Sequence, residues 1–304
     1  MAHSAAVSEV LPCRSAAAAP ISPFLSWVGG KHHLVKRFLP FLPADLNERV
    51  YREPFLGAGS LFFAVRPSRA FLSDANSHLI NCFEFVRDYP DLVADNLGRH
   101  SLRSLRDYYY RVRETYNRMS PSPAQAARFI YLNKTCFNGV FRVNQKGQFN
   151  VPYGNKARLV LPSRTQLRQT SHALSRAVLE VASFEKALET AARGDFIYLD
   201  PPYPPLNCTS YFRHYTTNRF QKSDHERLAE TIRHLDARGC MILLSNADTP
   251  EIRRLYRGFN IVSLSVVRYV TCKAKKYRVQ ELLISNYGGS AWRSDFHSYG
   301  LSHK

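Results

Sequence analysis

The chain is poor in the patterns that bind metal or form disulfides. It has six cysteines in 304 residues, and no two of them form a Cys-x-x-Cys pair. They are Cys13, Cys82, Cys136, Cys208, Cys240 and Cys272. This spacing predicts neither a zinc site nor a disulfide framework, so no metal is expected. Unpaired cysteines also favour a reducing, cytoplasmic location.

Long apolar runs are absent as well. No segment approaches the roughly 20 apolar residues that a membrane-spanning helix needs, so no membrane partner is expected. Residues 1–20 are rich in Ala and Ser, but Glu9 and Arg14 interrupt them. We therefore interpret 1–20 as a disordered tail and not as a signal peptide.

Acidic residues are scarce relative to basic ones. The chain has 24 Asp and Glu against 42 Lys and Arg, for a formal net charge of +18. Such an excess predicts a polyanionic partner, and without a membrane segment the prediction is nucleic acid. No obligate protein partner is evident, and the chain is compatible with a monomer.

Seven short apolar runs predict β-strands, and helical patterns separate most of them. This alternation predicts an α/β fold with a parallel sheet covered on both faces. The last two strands are joined by too short a segment for a crossover helix, so one of them should run antiparallel. The predicted strands are 49–54, 70–73, 177–182, 195–199, 240–245, 260–267 and 279–285.

The second and third predicted strands are about 100 residues apart. Helical patterns near 75–88, 101–119 and 123–133 fill much of this stretch, and no strand of the main sheet is visible in it. We therefore predict an inserted domain. The predicted division is a tail at 1–20, a catalytic domain in two parts at 21–76 and 163–287, an inserted domain at 77–162 and a loose tail at 288–304.

Asp200-Pro201-Pro202-Tyr203 is the most informative segment. It follows the apolar run 196–199, so its carboxylate is predicted at the carboxyl end of a buried strand, where open α/β sheets bind ligands. Two prolines restrict the backbone, which gives the Pro201 carbonyl a defined direction. Two oxygen acceptors beside the flat ring of Tyr203 suit an amino group on a planar ring, such as that of adenine. If the two oxygens accepted hydrogen bonds from the amino group, they would direct its nitrogen lone pair toward an electrophile.

A second segment predicts a nucleoside-containing ligand. Glu53–Ser60 follows the first strand, and its Gly57 and Gly59 permit a tight turn and close approach to a ligand. Asp74 ends the second strand, where a carboxylate can hold ribose hydroxyls. A third glycine of the pyrophosphate fingerprint is missing, which favours an adenosine ligand without pyrophosphate, such as S-adenosylmethionine. Trp27–Lys31 is not a P-loop, but Lys31 could bind a carboxylate and Trp27 an apolar or cationic group.

The predicted insertion carries much of the positive charge. Six arginines lie within 20 residues and are interleaved with Tyr108, Tyr109 and Tyr110, which suits phosphate contacts. The arginines are Arg99, Arg103, Arg106, Arg111, Arg113 and Arg118. Residues 137–147 predict a hairpin with an aromatic tip and glycine turns, which could enter a groove, wedge an aromatic ring into the stack and read guanine through Arg142.

In this order, the segments resemble the Dam-type DNA adenine-N6 methyltransferases whose cofactor motif is N-terminal. The resemblance covers about residues 22–288. It implies a seven-stranded, Rossmann-like S-adenosylmethionine-dependent methyltransferase sheet with an inserted DNA-recognition domain. The segments that carry it are Trp27–Lys31, Glu53–Ser60, Ser73–Asn76, Tyr131–Arg142, Phe149–Pro152, Asp200–Tyr203, Ser245–Thr249 and Glu281–Leu283.

The resemblance also implies roles for individual residues. Double-stranded DNA would be the substrate, and the most similar family members recognise GATC. Asp200 and the Pro201 carbonyl would hold the amine of a flipped adenine, with Tyr203 stacked on it and Pro202 shaping the turn. The implied cofactor contacts are Trp27, Lys31, Pro54, Phe55, Gly57, Gly59, Asp74, Phe184 and Asp200. The implied DNA contacts are Phe137, which inserts into the duplex, Asn138, Arg142, which reads a guanine, and Val140 and Pro152, near thymine.

Two positions depart from the family pattern. Many members have lysine immediately before the tryptophan, where it contacts the first base of the site, whereas this chain has Ser26. Relaxed selection of the first base is the resulting expectation. The aromatic residue matched by Phe137 is often tyrosine, a milder change because the stacking face remains.

Other chemistries fit the sequence less well. A cytosine-C5 enzyme needs a nucleophilic cysteine, and the one Pro-Cys pair is Pro12-Cys13 in the predicted tail. Cytosine-N4 enzymes usually have serine at the position of Asp200. An RNA adenine or a protein glutamine amide remains an alternative substrate, although the arginine-rich insertion favours a duplex. A DNA-binding protein without activity is the remaining alternative, against which the intact Asp200–Tyr203 and Lys31 argue.

Overall fold

A seven-stranded sheet forms the centre of the molecule. The structure is a computed structural model that describes residues 21–100, 106–155, 158–204, 220–269 and 276–288. The strands are β1 (Val50–Glu53), β2 (Arg69–Asp74), β3 (Ala177–Val181), β4 (Phe196–Leu199), β5 (Met241–Ala247), β6 (Asn260–Tyr269) and β7 (Lys276–Ser285). All seven predicted strands are therefore confirmed.

The strands are arranged in the order β3-β2-β1-β4-β5-β7-β6. Strands β1 to β5 pair in parallel, whereas β7 is antiparallel to both β5 and β6. The predicted antiparallel strand is thus β7. From β1 the chain builds outward to β3 and then returns to the other side of β1 with β4. This reversal opens a crevice at the carboxyl ends of β1 and β4, the position where open α/β sheets bind ligands.

Helices cover the sheet and fill the stretch between β2 and β3. They are α1 (Val35–Phe38), α2 (Ser60–Val65), α3 (Ser77–Asp88), α4 (Pro90–Gly98), α5 (Arg106–Arg118), α6 (Pro123–Thr135), α7 (Arg164–Leu174), α8 (Phe184–Leu188), α9 (Lys222–Arg238) and α10 (Pro250–Leu255). The three helices predicted between β2 and β3 are present, although residues 101–105 lie outside the described ranges. Helix α4 was not predicted, and it begins at Pro90, a favoured first helical residue. In the described ranges no helix is long and apolar enough to cross a membrane.

Two apolar clusters lie on the two faces of the sheet. One joins Phe196 of β4 to Phe83 of α3, Tyr109 of α5 and Ile130 of α6, all of them fully buried. The other packs α9 against β4 and β5. Every residue of β4 is buried, which explains its uninterrupted apolar sequence. The helices between β2 and β3 therefore share a core with the sheet.

The predicted hairpin is looser than expected, and the prediction of an aromatic tip is wrong. Phe137–Gly139 forms a 3-10 turn, and the backbone pairing of the two arms consists of isolated antiparallel bridges, Cys136 to Tyr153 and Val143 to Phe149, and single hydrogen bonds, without a continuous ladder. The tip consists of polar residues, and its turn is closed by Asn144, whose Oδ1 accepts the backbone N–H groups of Lys146 (2.9 Å) and Gln148 (3.0 Å). Asparagine favours such turns through these local hydrogen bonds. We call residues 136–153 the recognition hairpin.

Candidate active site

A cleft of about 980 Å³ opens at the carboxyl ends of β1, β2 and β4. Most of the predicted cofactor and catalytic residues line it. They are Trp27, Lys31, Pro54, Phe55, Gly57, Asp74, Phe184, Asp200, Pro201, Pro202 and Tyr203. Gly59 lies behind the wall of the cleft at the start of α2, with φ +66°, and a Cβ there would lie 3.1 Å from the Phe63 ring. The positive φ and the nearby Phe63 ring explain why position 59 is glycine.

Asp200 is the centre of a hydrogen-bond network at the end of β4. The Lys31 ammonium lies 2.7 Å from Asp200 Oδ1 and donates to Oδ2 at 2.9 Å. Ser245 Oγ of β5 donates to Oδ1 at 2.8 Å. Burial raises the pKa of Asp200 above its usual range, although Lys31 and Ser245 oppose that rise. The carboxylate is thus held in one orientation at the cleft.

Tyr203 presents the aromatic face beside this carboxylate. Its hydroxyl donates to Glu281 Oε2 of β7 at 3.1 Å, which fixes the ring. The Lys31 ammonium lies 4.5 Å from the ring centroid, close enough for a cation–π contact. A cationic N–H donor is therefore held between the carboxylate and the aromatic face, the two features predicted to hold an adenine amine.

Ser245 and Glu281 belong to segments that carry the family resemblance, but their roles were not predicted from the sequence. Both side chains are buried in β5 and β7, and both support the Asp200–Tyr203 segment. Polar residues inside otherwise apolar strands were the available signal. Buried polar groups need partners, so their presence indicates a network even though the partner is not identifiable from one strand.

Glu53 is a further carboxyl group in the cleft wall. It is only 2% exposed and accepts a hydrogen bond from the Tyr51 hydroxyl at 2.7 Å. Burial, with a smaller contribution from nearby Asp200, raises the pKa of Glu53 to about 8. The group is therefore mainly protonated at neutral pH and adds little negative charge beside Asp200.

The loop after β1 is held by Asp74. Its Oδ2 accepts the Gly57 N–H at 3.1 Å, and its Oδ1 accepts the Asn76 N–H at 3.0 Å. Gly57 has φ +49°, and a Cβ there would lie 2.9 Å from Trp27 Cδ1. Only glycine fits this contact without movement, so the loop, Asp74 and the indole form one surface. Burial raises the pKa of Asp74, and its hydrogen bonds to Gly57 and Asn76 oppose the rise.

Three phenylalanines form an apolar corner of the cleft. Phe55 stacks on Phe184 with ring centroids 5.6 Å apart, and Phe220 lies 5.7 Å from Phe55 and 5.9 Å from Phe184. Phe220 was missed by the sequence analysis because it precedes α9 without any apolar pattern around it. The corner suits a flat aromatic ligand group.

The residues predicted to touch DNA lie on the recognition hairpin. Phe137 is 48% exposed, and its N–H donates to the Pro152 carbonyl at 2.9 Å, which brings these two residues together. Asn138 is exposed in the left-handed region, with φ +55°. Arg142 Nε donates to Asn150 Oδ1 at 2.8 Å, so this side chain is oriented by the opposite arm. Val140 is half-buried.

The arginines of α5 differ in their surroundings. Arg113 donates to the Val151 carbonyl at 3.1 Å and packs over Tyr110, so it supports the hairpin. Arg118 pairs with Glu114. Arg106 and Arg111 are exposed on the same helix, as is Arg99 after α4. Arg103 lies outside the described residues.

Comparison with known proteins identifies the family. The profile of the D12 class N6 adenine-specific DNA methyltransferases matches residues 27–270. The chain is 36% identical to a type II methyltransferase of Lactococcus lactis subsp. cremoris, covering 88% of this chain and 96% of that protein. The chain belongs to this family. It is also 37% identical to a type II methyltransferase of Methanocaldococcus jannaschii and 34% identical to a DNA adenine methylase of Vibrio cholerae. The alignment with the Methanocaldococcus jannaschii protein covers 88% of this chain and 99% of that protein. The alignment with the Vibrio cholerae protein covers 86% of this chain and 94% of that protein.

The predicted Dam-type resemblance and enzyme class are thereby confirmed, and DNA is the substrate class of this methyltransferase family. In the described ranges no three His, Cys, Asp or Glu side chains form a group that could hold a metal ion.

The departure at Ser26 has a structural counterpart in this methyltransferase. Lys134, the residue before the end of α6, donates from Nζ to Ser26 Oγ at 3.3 Å. An ammonium group therefore lies beside the Ser26 side chain. Local sequence does not predict this contact, because the two residues are 108 positions apart.

Proposed function

We infer that this protein transfers a methyl group from S-adenosylmethionine to N6 of an adenine flipped out of duplex DNA. The observation that carries this proposal is the placement of Asp200. Its oriented carboxylate lies beside the fixed ring of Tyr203 in a cleft large enough for two ligands.

The residues of the cleft fit S-adenosylmethionine. Asp74 keeps acceptor capacity for ribose hydroxyls, because each of its oxygens accepts only one described backbone N–H. The apolar corner of Phe55, Phe184 and Phe220 suits the adenine ring. Lys31 suits the amino-acid carboxylate, and the Trp27 ring closes the same side of the cleft.

The chemistry requires one held nucleophile. Bound S-adenosylmethionine supplies an electrophilic methyl carbon, whose C–S bond breaks as the N–C bond forms and S-adenosylhomocysteine leaves. Asp200 and the Pro201 carbonyl accept the amine hydrogens and direct the lone pair, and Tyr203 stacks on the ring. Because Asp200 would hold the amine, its carboxylate would also accept the proton that N6 must lose, and burial, which raises the pKa of Asp200, favours that transfer.

Lys31 occupies part of this site in the structure. Its ammonium donates to both Asp200 oxygens and lies over Tyr203. We propose that it moves toward the cofactor carboxylate when the adenine amine takes its place. In the second position the ammonium pairs with the cofactor carboxylate, while the Asp200 carboxylate keeps the Ser245 hydroxyl and accepts the N–H groups of the adenine amine in place of the ammonium.

The proposed recognition sequence is GATC. Relatives named DNA adenine methylase support a Dam-type site, although type II methyltransferases are equally similar. Phe137 is proposed to fill the gap left by the flipped base, Arg142 to read a guanine, and Val140 and Pro152 to contact thymine.

Methyl transfer to DNA, RNA and protein in parallel tests this proposal. Tritium from labelled S-adenosylmethionine should enter GATC-containing duplex DNA and no other acceptor, and nucleoside analysis should yield N6-methyladenine. A duplex with the target adenine replaced by 2-aminopurine is the matched control. Faster transfer to RNA or protein, or N4-methylcytosine as the product, would contradict the assignment.

A further inference from the structure

One buried amide connects the cofactor cleft to the recognition hairpin. Asn133, only 4% exposed near the end of α6, accepts the Ser26 N–H at 2.8 Å. Its Nδ2 donates to the Ser26 carbonyl at 2.6 Å and, over a longer 3.4 Å, to the Gly139 carbonyl. A single side chain therefore holds the loop before Trp27 and the turn at the base of the hairpin.

Neighbouring packing makes this junction tight. Gly139 has φ +65°, and a Cβ there would lie 3.1 Å from Ser26 Cβ. Trp27 stacks on Phe141 of the hairpin with centroids 6.0 Å apart, while its indole also lies against Gly57 in the cleft. The same indole is thus a wall of the cofactor site and a support of the hairpin.

Both sides of the junction carry proposed ligand contacts. Trp27 and Lys31 follow Ser26 and line the cleft. Phe137 and Asn138 precede Gly139 and are exposed to an approaching duplex. Movement of either segment must strain the three hydrogen bonds of Asn133 or leave buried groups without partners, which is costly.

We propose that Asn133 is a positioning residue that couples the two sites, so that cofactor and target duplex each strengthen the binding of the other. This inference rests on the proposed function. By linkage, the factor by which the cofactor raises affinity for cognate DNA equals the factor by which DNA raises affinity for the cofactor. Cooperative sites typically show factors of about 5 to 150.

Asn133→Asp is the most direct variant. It keeps the shape and the acceptor for the Ser26 N–H, but an oxygen then faces the carbonyls of Ser26 and Gly139 instead of a donor. Asn117→Asp is a matched control. Asn117 of α5 makes the same two-way clamp, accepting the Phe149 N–H at 2.9 Å and donating to the Phe149 carbonyl at 3.0 Å. That clamp holds the hairpin without the cofactor loop.

Calorimetric titration gives the coupling factor. The Kd of S-adenosylhomocysteine is measured with and without GATC duplex, and the Kd of the duplex with and without S-adenosylhomocysteine. We expect a wild-type factor of about 10 or more, and a factor within about twofold of one in Asn133→Asp. Asn117→Asp should weaken duplex binding equally in both conditions and keep the wild-type factor.

Each outcome has a separate meaning. A folded Asn133→Asp protein with the wild-type factor would overturn the coupling role, as would a wild-type factor of one with both ligands bound. Failure of the wild type to bind S-adenosylhomocysteine or duplex would instead contradict the proposed function. If Asn133→Asp does not fold, Gly139→Ala, which strains the same junction, must lose the factor, and its retention there would also overturn the proposal.

Discussion

At the scale of single residues, Asp200 carries the proposed chemistry. Asp200→Ala removes the acceptor for the amine and the partner of Lys31, so we expect kcat to fall about 10²- to 10³-fold, as for loss of one preorganised transition-state contact. Cofactor binding should weaken, while DNA affinity persists because phosphate contacts dominate it. Single-turnover methyl transfer and duplex titration measure the two effects. Asp248→Ala, which removes the partner of surface Arg253, is the control. Near-normal turnover of Asp200→Ala would contradict the role.

Lys134 bears on whether the protein, with serine at position 26, still selects the first base of its recognition site. Its ammonium lies 3.3 Å from Ser26 Oγ, so we expect it to replace the missing lysine and to retain selection of the first guanine. Lys134→Met should then relax that position by about 1–3 kcal/mol, the cost of one mismatched pair. Ser26→Lys in the Lys134→Met protein should restore selection. The measurement is kcat/KM on duplexes varied at position one. A wild type that already accepts any base there would show that Ser26 alone relaxes the site.

Glu53 predicts a pH dependence of stability. Burial raises its pKa to about 8, above the ordinary value of about 4.3, so the folded protein keeps a proton that the unfolded chain releases. The stabilisation that protonated Glu53 contributes to the folded state is fully present below pH about 4 and is lost as the pH rises through about 8. Between pH 6 and 8 the free energy of unfolding of the wild type should fall about 2 kcal/mol more than that of Glu53→Gln. Urea titrations at both pH values test this, and equal losses would contradict the protonated state.

At the scale of elements, the recognition hairpin should determine specificity. Arg142→Ala should cost about 1–3 kcal/mol of discrimination at one guanine. Asn150→Ala should reproduce part of this loss, because Asn150 orients Arg142. Arg106→Ala, at an exposed position of α5, is the contrast: it should weaken binding to all duplexes alike and lower the slope of log K against log salt by about 1, the value for one lost phosphate contact. Filter binding to cognate and scrambled duplexes at several salt concentrations separates the two. Equal losses for both duplexes in Arg142→Ala would contradict base reading.

The elements also show what one sequence can predict. The strands were predictable because buried parallel strands are continuous apolar runs, as in Phe196–Leu199. The hairpin tip was mispredicted because Asn144 closes a polar turn through its own side chain, which hydrophobic pattern does not reveal. Phe220 and the pairs Lys134–Ser26 and Asn133–Ser26 depend on contacts between distant segments. No local pattern encodes such contacts.

At the scale of the whole molecule, the positive charge suits DNA binding, and a shared apolar core joins the recognition hairpin's helical segment to the sheet that carries the cleft. The net charge of +18 supports binding to a polyanion, and exposed arginines lie on the helical segment that carries the recognition hairpin. That segment shares one apolar core with the sheet, so the hairpin is held at a defined distance from Asp200. Rigid placement of this kind suits a reaction that must bring a base from the duplex to a fixed acceptor pair.

The most direct test is base-resolved sequencing of DNA from cells that lack adenine methylation and express either the wild type or Asp200→Ala. With the wild type we expect N6-methyladenine at the adenine of GATC on both strands, and with Asp200→Ala a far smaller methylated fraction at the same sites, in line with a kcat lower by about 10²- to 10³-fold. Methylation confined to another base, or an Asp200→Ala protein that modifies DNA as fully as the wild type, would contradict the central claim that Asp200 holds the adenine amine for methyl transfer.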